Sequence, residues 1–239
     1  MAGRLDVGAV IRRVWSIYVE EASVLMPAAA AVFVVTGIVA ALLAAGGTVG
    51  GLLVAEILVI VAGMLFTAMV VELVADVQDG RRDSSAGQLL RAASPVLGQL
   101  ILVALVAGVA IVLGLFLLIV PGLILITSWS VFVPVIVLER APGLSSLGRS
   151  RQLVRGNGWQ VFGVLLVLFV LVGLVSLVLD GAAASAGTAV GIVVRVVVGV
   201  LTAPLSALAG AVLYFELLAI SEASTAGEPP PVPGPAIGL

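Results

Sequence analysis

Apolar stretches of about twenty residues, each almost free of charge, recur along this chain. A helical run of that length matches the ~30 Å hydrocarbon core of a bilayer. They cover residues 24–45, 51–75, 99–120, 122–138, 159–180 and 198–220. Composition agrees: 62% of residues are hydrophobic and 10% charged, whereas soluble domains are about half apolar and a quarter charged. The polar residues are too few to cover a water-soluble core. The expected fold is therefore all-α, a polytopic bundle of six transmembrane helices occupying residues 1–222, followed by a disordered Pro/Gly-rich tail over 223–239.

Several chemistries are excluded at the outset. The chain has no histidine and no cysteine, so imidazole or thiolate metal sites, disulfides, and His or Cys catalysis are absent. No cofactor and no metal are implied. Ser128 and Ser130 have no His or Lys to act as a base, because all eleven basic residues are arginine. Arginine without lysine fits a GC-rich bacterial genome. The glycine-rich stretches GGTVGG (46–51) and RGNG (155–158) lack the strand and lysine of a phosphate loop. No nucleic-acid signal is present.

The arginines set the topology. Arg4, Arg12, Arg13, Arg81, Arg82, Arg91, Arg140, Arg149, Arg151 and Arg155 fall on one side of a six-span chain, and Arg195 alone does not. Positive charge accumulates in cytoplasmic segments. The expectation is a bacterial cell membrane protein with both termini cytoplasmic. Residues 4–21 predict an amphipathic helix in the headgroup layer, with Leu5, Val7, Val10, Ile11, Val14, Trp15 and Tyr18 near one face. A cleaved signal peptide is not expected, because the apolar run from Val24 to Ala45 is too long and starts too late.

Along the chain, Pro27 is expected in the first turn of the first span, where a missing N–H matters least. GGTVGG predicts a tight outer turn, and Pro121-Gly122 another. The fourth span is short and holds Thr127, Ser128, Ser130 and Pro134, which predicts a kink or irregular backbone. The last apolar region, 189–220, exceeds one perpendicular span; Pro204 and Arg195 predict a short preceding helix or a bend. Three segments share a plan of basic amphipathic piece, span, tight turn and returning span. The amphipathic pieces are VGAVIRRVWSIY, AGQLLRAASPVLG and LGRSRQLVRGNGWQVFG.

Two groups of charged residues are candidate sites. Glu56 and Arg195 sit at comparable depth inside the outer ends of their spans. They are read either as an intramembrane pair or as a proton or cation site, since an ionisable group at a helix centre costs ~2.5–3.5 kcal/mol on insertion scales. Glu72, Asp76, Glu139 and Glu216 end returning helices, where a carboxylate opposes the helix dipole. Pairing with Arg149, Arg151 or Arg155, and with Arg12 or Arg13, would offset this and fasten the amphipathic segments to the bundle. The alternative is a cytoplasm-facing polar site for an ion or a headgroup. Trp15 and Trp159 are expected as interfacial anchors, and Trp129 as packing.

The stretch WSVFVPVIVLER, followed by LSSLGRSRQLVRGNGWQVFG, resembles the glycerophosphoryl diester phosphodiesterase membrane domain family. The likeness rests on Trp129, Ser130, Pro134, Glu139, Arg149, Ser150, Leu153, Val154, Gly156 and Trp159, with Tyr214, Phe215 and Glu216 near the end. The family often has an arginine after that acid, where this chain has Leu218 and Ala219. The resemblance implies the membrane fold without the phosphodiesterase barrel, which needs ~250 residues of its own and uses histidines. The expected function is non-enzymatic: binding or organising membrane lipids or a partner membrane protein, homo-oligomers included, in envelope or lipid metabolism. The alternative is a small transporter using Glu56, Arg195 and the broken fourth and sixth spans.

Overall fold

The structure, a computed structural model, describes residues 4–80, 87, 88, 91, 94–183 and 188–226. Nine helices run in order among them: α1 (Val7–Glu20), α2 (Ala22–Ala45), α3 (Val49–Gln78), α4 (Leu97–Leu117), α5 (Ile119–Ser128), α6 (Phe132–Leu138), α7 (Ser145–Val154), α8 (Gly158–Ala183) and α9 (Thr188–Ala226). Six stretches are long and apolar enough to cross a membrane, with α5 and α6 together forming the fourth. Their alternation returns the end of α9 to the side on which α1 lies.

Local chemistry explains most helix ends. Asp6 caps α1, its carboxylate accepting from the Gly8 N–H at 2.8 Å and the Ala9 N–H at 3.2 Å. This satisfies donors that have no partner inside the helix. Glu21 alone separates α1 from α2, so α2 begins at Ala22 and Pro27 lies in its second turn rather than its first. The predicted outer turn between the first two spans forms at Gly46 and Gly47, where Gly47 has φ +64. Thr48 caps α3 by accepting from the Gly51 N–H at 3.1 Å.

The second outer turn differs from expectation. The chain reverses at Leu118, which is extended at φ −159 and ψ 132. Pro121-Gly122 lies inside the first turns of α5, where proline's missing N–H is tolerated. Gly122 serves packing instead. A Cβ there would stand 2.4 Å from the Leu115 side chain, and one on Gly114 would stand 3.1 Å from Gly122. The two glycines let the backbones of α4 and α5 approach, as small residues do between membrane helices.

Of the two alternatives for the last span, the separate preceding helix is not formed. α9 is one helix of 39 residues, about 58 Å long at 1.5 Å per residue, with Pro204 inside it and no separate helix before it. It also continues to Ala226, past the predicted start of the tail at residue 223; residues 227–239 lie outside the described residues. Within the second amphipathic piece, residues 86–97, positions 86, 89, 90, 92 and 93 lie outside them too; 87, 88 and 91 are helical, and Ser94–Val96 form one 3-10 turn.

Packing is uneven across the membrane. Buried side chains collect in the half nearest α1: Leu25 and Ala29 of α2, Phe66, Val70 and Val74 of α3, Leu100 and Val103 of α4, Val161 and Val164 of α8, and Leu208, Val212 and Leu213 of α9. The opposite half presents Leu42, Leu53, Leu113, Phe116, Leu177 and Val193 outward. α1 rests on the tight half through Val10, Val14 and Ile17. Its Tyr18 hydroxyl donates to the Leu201 carbonyl at 3.1 Å, three residues before Pro204. Burial raises the Tyr18 phenol above its ordinary pKa, so the donor form is kept.

The close approach of α4 and α5 yields a direct test. Gly122→Ala forces overpacking and is expected to destabilise the protein by about 1–3 kcal/mol. Gly108→Ala, where an added Cβ meets nothing within 4 Å, relieves a glycine inside a helix and is expected to keep or raise the midpoint of thermal unfolding in detergent.

Candidate functional site

The fourth span breaks over Trp129, Ser130 and Val131, as Ser128, Ser130 and Pro134 predict. A break inside a membrane leaves backbone donors and acceptors without helix partners, and lipid supplies none. α7 supplies them. Ser150, fully buried, accepts from the Val131 N–H at 3.3 Å and donates to the Ser128 carbonyl at 2.9 Å. α7 is placed to do this because Ser146, Leu147, Ser150, Leu153 and Val154 share one helical face, and all five are buried. The buried face of α7 thus acts as a wedge against the break, while its opposite face, with Arg151 and Gln152, stays exposed. Close to the break, a Cβ on Gly210 of α9 would meet the Ser130 carbonyl at 3.9 Å. The Ser130 hydroxyl is buried without a hydrogen-bond partner.

Charges collect just beyond the wedge. Arg149 of α7 places its Nε–H between the two Glu139 oxygens, at 3.0 and 3.2 Å. The Tyr214 hydroxyl of α9 donates to the same carboxylate at 3.0 Å. Glu139 thereby ties α6, α7 and α9 together. Arg140, held at the left-handed φ of +52, reaches back to Glu72 of α3 at 3.4 Å. The Gln99 side-chain amide of α4 donates to the Ala141 carbonyl in the same turn. Five helices therefore converge on residues 139–141.

The predicted acid–base cluster is brought together in part. Arg149 pairs with Glu139 as anticipated, and Glu72 takes Arg140, a pairing not anticipated. The signal for it was the Glu139-Arg140 junction itself, where adjacent opposite charges face different partners if the chain turns between them. Arg12, Arg13, Arg151 and Arg155 are exposed. Among the described residues none of them forms an ion pair with Glu72, Glu139 or Glu216, and Glu216 is half-buried without an ion pair. Asp76 lies close enough to Glu72 for their charges to interact. Tyr214 was noted only for its position in the last helix. Its link to Glu139, 75 residues away, has no local sequence signal.

Glu56 and Arg195 are both exposed in the loosely packed half, and no ion pair joins them among the described residues. Trp15 and Trp159 are 57% and 84% exposed, so their rings face the surroundings of the bundle. Trp15 stacks on Tyr18 with centroids 5.6 Å apart. Trp129 packs against the core.

Beside the wedge lies a lateral groove of ≈ 880 Å³ between α5 and the start of α8. Val120, Leu123, Ile124 and Phe162 give it apolar walls, and Arg4 and Gln160 add polar groups to its lining. From Val120 to Ser128 it follows about 12 Å of helix. Its shape and polarity suit a molecule with an apolar chain and a polar head. Thr127, which lines it, turns its hydroxyl to the Leu123 carbonyl at 2.8 Å and so shows the groove a mainly apolar surface.

Ser150→Ala leaves Val131 N–H and Ser128 C=O unpaired and is expected to destabilise the fold by about 1–3 kcal/mol. Ser145→Ala, at an exposed position on the same helix, is the reference, with a much smaller expected loss in the same denaturation measurement. Comparison of the chain with protein-family models, with curated proteins and with solved structures returns no match.

Proposed function

We propose that this protein is a non-enzymatic integral membrane protein that binds or organises membrane lipids. The carrying observation is the lateral groove between α5 and α8, apolar along its walls and with Arg4 in its lining. Two features support the reading. The groove adjoins a wedge and ion-pair cluster that hold its walls in place, and pre-formed sites of this volume are typical of small-molecule binding. Residues 129–159 resemble the glycerophosphoryl diester phosphodiesterase membrane domain family, and the reading proposed is a stand-alone protein of that kind acting in envelope or lipid metabolism. A partner membrane protein or a second copy would engage the same lipid-bearing unit.

The transport alternative has less support. The break in the fourth span is filled by Ser150 rather than left open, and Glu56 and Arg195 are not joined into a charged path. The orientation proposed is both termini in the cytoplasm of a bacterial cell, from the arginine bias.

Native mass spectrometry of the protein released from lipid discs tests the lipid reading. The expected result is one lipid retained per chain after conditions that strip the annular shell; a stoichiometric protein partner with no retained lipid would favour a scaffold instead. Orientation is tested on single-cysteine variants, since the chain has no cysteine of its own. Gly47→Cys is expected to react with an impermeant thiol reagent applied outside the cell, and Arg151→Cys to react only after permeabilisation.

A further inference from the structure

We infer that the α5–α8 groove selects an anionic phospholipid, whose phosphate-bearing headgroup is met by Arg4 and whose acyl chain lies along α5; this rests on the lipid-binding reading above. The argument begins with a buried asparagine. Asn157 occupies the position just before α8, where such a residue ordinarily caps its own helix. Here its side-chain oxygen accepts instead from the Leu5 N–H at 3.2 Å, across 152 residues of sequence. Leu5 is buried, and Val7 packs close to Gly163 one turn further along α8. The segment before α1 is therefore strapped to the start of α8, and the strap sets the next residue back, Arg4, in the lining of the groove.

The other features of that lining favour negative charge. Gly156 and Gly158 line the groove with backbone alone, so no side chain there fills the space. The first turn of α8 adds the partial positive charge of a helix start. The adjacent Arg155 is exposed, and no acidic residue lines the groove. Trp159, also lining it and 84% exposed, offers an aromatic face beside Arg4 of the kind that accompanies lipid headgroups. Below, Leu123, Ile124 and Phe162 offer a wall for hydrocarbon. An uncharged or zwitterionic lipid would fill the apolar wall equally well and gain less from Arg4. Headgroup charge is thus the property the groove distinguishes, and Asn157 is a positioning residue that acts through Arg4.

The test uses the full chain in discs of equal parts phosphatidylglycerol and phosphatidylcholine, with retained lipid read by native mass spectrometry. The wild-type protein is expected to retain phosphatidylglycerol over phosphatidylcholine by about fivefold, the size of one arginine's attraction to an anionic lipid. Arg4→Gln is expected to reduce that ratio to near one while lipid is still retained, and Arg4→Lys to preserve most of it. Asn157→Asp keeps an acceptor for the Leu5 N–H but sets a negative charge beside the headgroup, and is expected to lower the ratio without loss of fold. Arg195→Gln, at the other end of the bundle, is expected to leave it unchanged. A wild-type ratio near one, or an unaltered preference in Arg4→Gln, overturns the headgroup assignment and leaves the lipid reading standing. A wild-type protein that retains neither lipid overturns both.

Discussion

The structure depends on one hydroxyl. Ser150 closes both ends of a break in a membrane-spanning helix, accepting from Val131 and donating to Ser128. In water, such a break would be satisfied by solvent. Hydrocarbon offers an unpaired backbone group no replacement partner, so the fourth span is irregular where protein fills the gap. Here α7 fills it with its buried face. With α7 so placed, its Arg149 lies next to the end of α6, and its last residues bring the start of α8 against α5. The ion pairs and the groove both follow from that placement.

The charges next to the wedge are secondary in energy. Glu139 and Arg149 keep 25% and 36% of their side-chain surface accessible, and pairs of that kind contribute about 1 kcal/mol or less. Their value is geometric. The Glu139 carboxylate takes Arg149 from α7 and Tyr214 from α9, so three elements must meet at one point. Arg140 and Glu72 add α3. Carboxylates at the ends of α3 and α6 would otherwise oppose their helix dipoles, and the arginines set against them offset that. The buried side chains gather in this half of the bundle, while the other half leaves large aliphatic side chains exposed. In a bilayer those side chains meet lipid tails, which are as apolar as they are.

Reading the chain residue by residue located much of this. The six spans, the amphipathic first helix and the irregular fourth span were all legible, because each follows from local composition or from Ser and Pro at known positions. Arg149 with Glu139 was legible from charge spacing near a helix end. Other features were not. Pro121-Gly122 has the composition of a turn, yet it sits inside α5 because Gly122 is needed where Leu115 crosses. Pro204 and Arg195 allow a separate short helix, yet α9 runs through both as one continuous helix packed on several neighbours. Glu56 and Arg195 match in depth, but depth along a helix does not specify lateral position.

Sequence alone determined which six stretches are long and apolar enough to cross a membrane, because this depends only on apolar length, which is local. Tertiary structure decided what the shorter segments do. The period of α7 requires a buried face but does not say against what; only the fold shows Ser150 meeting a broken helix 19 residues earlier. Asn157 reads as a helix cap, and only the fold shows it holding Leu5 and, through it, Arg4. Both contacts join backbone groups to distant side chains, and no local pattern of residues specifies either partner.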